Sequence, residues 1–149
     1  MDLAFGTRVR EHGYVIGRLA GLEADSRTHV VRHLLITVDG TLRGDLLRRP
    51  LDAVPADHFD GEILLLVRPD DEAGSPSDVF ALTPTTPLVR KGRQIGWLSG
   101  VELSPLMGGI ISVVGRQHWW TRRFHVQALD LDFSIPGEIR VNATTSEAA

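Results

Sequence analysis

Residues 117–125 read Gln-His-Trp-Trp-Thr-Arg-Arg-Phe-His and gather two of the three tryptophans, two arginines and two histidines within nine positions. The chemistry these types offer is contact. Tryptophan and arginine are the residues that protein interfaces enrich and that their energetic hot spots favour. The same pair also serves single-stranded RNA, where each stacked base contributes about 1–3 kcal/mol. Adjacent side chains on a strand point to opposite faces, so of Trp119 and Trp120 one fills a core and the other stands outside or between two halves. Trp119, Trp120, Arg122 and Arg123 are therefore the candidate protein-binding residues. The plainer alternative is a hairpin with one core tryptophan and solvated arginines.

Other chemistry is thin. Asp57-His58-Phe59-Asp60 sets two carboxylates beside an imidazole, a trio suited to acid–base work. It also stands where a turn is expected, and Asp before Gly61 is ordinary turn chemistry. His29 and His33 have the spacing of a metal pair on a helix, but on a strand they lie about 13 Å apart, too far for one ion. The chain lacks a Gly-x-Ser-x-Gly elbow, a phosphate-cradling glycine loop and a His-Glu-x-x-His pair. With no cysteine it has no disulfide, thiolate ligand or thiol nucleophile. The expectation is a non-enzyme with no metal and no cofactor.

The elements that would hold these residues are strands. At 149 residues, with 42% hydrophobic but only 6% aromatic side chains, the chain supports one average domain or two minimal ones with aliphatic cores. No apolar run approaches the roughly 20 residues of a membrane span, and the start has no signal-peptide pattern. A cytoplasmic location is the corresponding expectation. The net charge of −3 divides into −4 over residues 1–75 and +1 over residues 76–149, without the basic excess of a dedicated nucleic-acid binder.

One pattern occurs twice. Val15-Ile16-Gly17-Arg18-Leu19-Ala20-Gly21-Leu22-Glu23 returns as Gln94-Ile95-Gly96-Trp97-Leu98-Ser99-Gly100-Val101-Glu102, offset by 79 positions. Gly61-Glu62-Ile63 returns as Gly137-Glu138-Ile139, offset by 76. A duplication of this size means two small domains or one fold with internal two-fold symmetry. Two glycines in each block, each costing a helix about 1 kcal/mol, argue against the helix that the aliphatic spacing suggests. Gly17, Gly21, Gly96 and Gly100 instead mark bends or bulges in a long strand. Asp39-Gly40, after the β-branched run Val30–Val38, is a strong hairpin signal.

Gly6-Thr7-Arg8-Val9 followed by Gly13-Tyr14-Val15-Ile16-Gly17-Arg18-Leu19 resembles the opening of the PRC-barrel family. The likeness runs on through Val30–Val38, Arg49-Pro50-Leu51-Asp52-Ala53-Val54 and Gly61-Glu62-Ile63-Leu64-Leu65. The fold is shared by the photosynthetic reaction-centre H subunit and the C-terminal domain of the ribosome maturation factor RimM. In the second copy Leu88–Glu102 and Gly137–Val141 fit, but Val126-Gln127-Ala128-Leu129 replaces the proline before the last strand pair. The resemblance implies a small β-barrel used in binding and assembly, with no shared catalytic residues.

The reading is thus an all-β protein of two tandem PRC-like barrels. The first spans residues 1–68 and the second, divergent one residues 88–142. A proline-rich acidic linker at 69–87 docks in part through Val79–Leu82, and residues 143–149 form a frayed tail. The expected function is a non-catalytic binding or assembly module, regulatory in character, that contacts an unidentified protein partner and is capable of forming a homodimer. RNA or ribosome association is the second reading. A small-molecule site or an enzyme between the barrels is the third.

Overall fold

Each copy of the glycine-containing block lies in one long strand, Tyr14–Asp25 in the first and Arg93–Leu103 in the second. The computed structural model describes residues 1–38, 46–51, 54, 62–65, 78–104, 108–118, 122–135 and 137–142. In chain order the strands are β1 (Asp2–Ala4), β2 (Arg8–Glu11), β3 (Tyr14–Asp25), β4 (Val31–Thr37), β5 (Leu46–Pro50), β6 (Ile63–Leu65) and β7 (Val79–Leu82). They continue with β8 (Pro87–Arg90), β9 (Arg93–Leu103), β10 (Ile110–Arg116), β11 (Arg123–Gln127), β12 (Leu131–Asp132) and β13 (Ile139–Val141), with a 3-10 turn at Ala128–Asp130. The protein is all-β. No α-helix occurs among the described residues, and none of their helices could cross a membrane.

The strands form two sheets of the same design. One runs β5-β4-β3-β2-β6 and the other β11-β10-β9-β8-β13-β12. In each, a two-residue hairpin joins the edge-side strand to the long one. His12-Gly13 (φ 55° and 79°) and Lys91-Gly92 (φ 51° and 77°) take positive φ at both positions, the mirror-image turn that matches strand twist. The repeated Gly-Glu-Ile closes each sheet in parallel: Ile63 pairs with Val9, and Ile139 with Leu88. All four side chains are buried.

The sheets exchange strands. β1 pairs with β9 of the other sheet, setting Leu3 opposite Val101 and Ala4 opposite Gly100. β7, from inside the stretch read as a linker, pairs with β3 and sets Leu82 opposite Leu22. Leu3 and Leu82 occupy equivalent positions in the two copies, so the exchange is reciprocal. Val31 N–H also donates to the Gly108 carbonyl, and the N-terminal ammonium of Met1 to that of Leu103. Buried side chains from both copies consequently belong to one continuous core, from Leu3 and Val9 to Ile139 and Val141.

The four block glycines sit where neighbouring backbone comes close. A Cβ on Gly21 would lie 2.8 Å from the Leu82 carbonyl oxygen, and one on Gly100 would lie 2.8 Å from that of Leu3. On Gly96 it would meet the Arg116 carbonyl oxygen at 2.9 Å, and on Gly17 it would collide with that of Thr37. Beside each glycine one residue of the long strand is skipped in the pairing: Ile16, Ala20, Ile95 and Ser99. These bulges add twist and break inside–outside alternation, which is why Leu19 to Ala24 are buried without interruption. Asp39 and Gly40 lie outside the described residues.

Candidate functional site

The residues with potential chemistry fall at three places. The first is a set of ion pairs on the β5-to-β6 sheet. Arg48 donates from Nε and Nη2 to both carboxylate oxygens of buried Glu23, each at 2.8 Å, and His33 Nδ1 lies 3.6 Å from Glu23 Oε1. The bonds to Glu23 raise the Arg48 pKa. Arg49 donates to Glu11 at 2.8 and 3.3 Å, and this bonding holds the Glu11 carboxyl below its ordinary value. Glu102, which repeats Glu23, accepts from the buried Ser112 hydroxyl at 2.9 Å. The repeated acid therefore anchors a cross-strand polar contact in both sheets, which is architectural work.

The second place is the junction of the copies. His29, held at φ 58°, meets the Phe133 ring edge-on with centroids 4.8 Å apart, and Phe80 lies 6.1 Å from His29. The imidazole of the first copy packs against two rings of the second, Phe80 and Phe133, whose centroids are 5.4 Å apart. Four residues on, His33 belongs to the Glu23 cluster, so the two histidines serve different neighbourhoods. Asp25 next to this junction accepts from the Arg27 and Thr28 amides at 2.8 and 3.1 Å, which lowers its pKa. It is a turn acid.

The third place is a surface groove of about 390 Å³ lined by Phe5, Gly6, Pro84, Trp97, Leu98, Ser99, Arg116 and His118. Its walls are the two segments that follow the exchanged strands. Phe5 N–H donates to the Ser99 carbonyl at 3.1 Å, and Leu98 N–H donates to that of Thr86 at 2.9 Å. Phe5 and Pro84 are equivalent positions in the two copies, so the groove lies where the copies cross. Trp97 is 44% exposed despite its size. Pairing aligns it with Arg116 on β10, and Arg116 with Arg123 on β11. Arg18 donates to the carbonyl of the lining residue Gly6 at 2.9 Å.

Of the residues singled out from sequence, Arg122 and Arg123 are exposed and Arg123 pairs with the groove residue Arg116, while Trp119 and Trp120 lie outside the described residues. Phe124, between the arginines and the core, packs its ring into a notch left by Gly96 and Gly115. Asp57, His58 and Asp60 also lie outside the described residues. Sequence reasoning missed Trp97. The signal was present: it is the position in the duplicated block where Arg18 of the first copy gives way to an aromatic.

The charge of the chain is also more unevenly placed than its two halves suggest. Between Asp78 and Asp130 the only acid is Glu102, against six basic residues, so this span carries +5 while the rest of the chain carries −8. Six of the eight residues that line the groove belong to the basic span. No protein-family model matches the chain, and no curated protein matches it.

Proposed function

We propose that the chain is a non-catalytic binding or assembly module that docks a partner protein across the groove around Trp97. The observation that carries this reading is a half-exposed tryptophan between the two bulges of β9, walled by Phe5 and Pro84 and rimmed by Arg116. A preformed apolar floor with a few placed polar groups suits recognition, and a large rigid aromatic is a typical anchor. Arg123, paired with Arg116, extends the rim. The resemblance to PRC-barrels supports the same reading, because that family implies small barrels used in assembly, and a regulatory role would follow from it.

Association with RNA is the second reading, and the basic span 79–129 favours it. It requires affinity that falls steeply with salt, since phosphate contacts release counterions. One affinity-capture experiment from lysate separates the two, run with and without nuclease and with Trp97→Ala in parallel. A protein that survives nuclease and is lost with Trp97→Ala supports docking. Capture that disappears with nuclease moves the assignment to RNA.

A further inference from the structure

The groove's surroundings specify what kind of segment it takes. Resting on the docking role proposed above, we infer that the Trp97 groove binds an acidic partner segment carrying a single large apolar side chain. The apolar part of the argument is spatial. Phe5, Pro84, Leu98 and Trp97 form one continuous lining, limited by the backbone of the two exchanged segments. It has room for one large side chain and its flanking backbone, and its aromatic side chains, Phe5, Trp97 and His118, line a single pocket rather than the drawn-out track of stacking platforms that a nucleic-acid strand uses.

The charged part is complementarity. Arg116 lines the groove, Arg18 is bonded to its wall at Gly6, and Arg123 continues the row on β11. The one acid of the basic span, Glu102, is at the other end of β9, opposite Asp2 and bonded to Ser112. A basic segment would gain nothing at such a rim, whereas carboxylates flanking the anchor would be drawn to it. Rim charges of this kind act mainly on association rate and selectivity. The apolar anchor, desolvated on the groove floor, supplies most of the lifetime of the complex.

The test uses the full chain and fluorescence anisotropy of labelled probes. The first probe is Glu-Glu-Leu-Phe-Glu-Glu. The others replace its acids with lysine, replace Leu-Phe with Gly-Ser, or are a single-stranded oligouridylate. The expected result is saturable binding of the first probe, with the lysine and Gly-Ser probes weaker by about tenfold or more. Trp97→Arg places at 97 the residue that the other copy carries at 18, so the strand tolerates it. It is expected to reduce binding of the first probe to the level of the Gly-Ser probe. Arg123→Glu is expected to weaken all acidic probes and flatten their salt dependence. Circular dichroism and Tm confirm that both variants fold.

Equal binding of the lysine probe overturns the inference, as does indifference to Trp97→Arg. So does tighter binding of the oligouridylate, or no binding of the first probe up to about 1 mM, the weak end of specific contacts. The docking reading fails separately. A captured partner that depends on Trp97 but cross-links through a basic or neutral segment leaves docking standing and removes the acidic assignment.

Discussion

Gly100 faces the carbonyl oxygen of Leu3 so closely that a Cβ there would lie 2.8 Å from it, and Gly21 stands in the same relation to Leu82. The duplicated glycine is therefore the seat of an exchanged strand. Without a side chain, β1 and β7 approach the long strands at hydrogen-bonding distance and tie each copy to the other.

Gly100→Ala and Gly21→Ala should each destabilise the protein by about 1–3 kcal/mol, because backbone and not a flexible side chain must move. Gly109→Ala is the control, since a Cβ there meets nothing within 4 Å. Urea unfolding measures all three. Equal midpoints for the Gly100 variant and the control would mean that β1 is not held as described.

Strand β1 is expected to matter to the whole core. Leu3 is only 2% exposed and lies in the shared core. Leu3→Ala should cost about 2–5 kcal/mol, the range for truncating a buried leucine. Leu129, 96% exposed on the 3-10 turn, provides the contrast. Its alanine variant should stay within about 0.5 kcal/mol of the parent. Thermal unfolding of the two variants decides the matter, and a silent Leu3→Ala would contradict the exchange.

Much of the strand content was legible because β-branched runs and repeated glycines leave few alternatives. The long strands at 14–25 and 93–103 follow from the same glycines that argue against a helix. The strand exchange was not legible. Val79–Leu82 reads as docked linker because prolines and acids surround it, and pairing partners distant in sequence leave no local trace. The hairpin turns at His12-Gly13 and Lys91-Gly92 lack the Asn or Asp that marks such turns, so only glycine spacing hints at them. Arg122 and Arg123 were identified from composition. Trp97 is not legible from what the two blocks share, because the groove is built where they differ.

Acid should loosen the contact between β2 and β5. Arg49 bonding lowers the Glu11 pKa below its ordinary value of 4.5, against opposition from desolvation. A carboxyl with a depressed folded-state pKa contributes stability above its unfolded value, and that contribution is lost as pH falls through the folded value. The Glu11–Arg49 contribution is therefore intact at neutral pH and disappears below about pH 4.5. Arg49→Met should return the Glu11 carboxyl toward 4.5, as followed by NMR titration. It should also flatten the stability-versus-pH slope on the acid side. A Glu11 titration that ignores the loss of Arg49 would remove the pair from the account.

The two copies of the repeated glutamate should respond differently to the same substitution. Glu23 is buried and receives both arms of the Arg48 fork at 2.8 Å, with His33 alongside. Glu23→Gln keeps the shape, removes the charge and presents an amide N–H₂ to a guanidinium that can only donate. The Arg48 side chain is 43% exposed, so water offsets part of this loss, and about 1–3 kcal/mol is the expected cost. Glu102 has a simpler task, accepting from the Ser112 hydroxyl at 2.9 Å. The amide oxygen of Gln accepts that bond equally well, so Glu102→Gln should cost less than about 1 kcal/mol. Arg48→Met supplies the cycle: combined with Glu23→Gln it should be less damaging than the sum of the single changes, because each alone strands the other's partner. Additive urea midpoints would mean that the fork at Glu23 contributes nothing beyond its two ends.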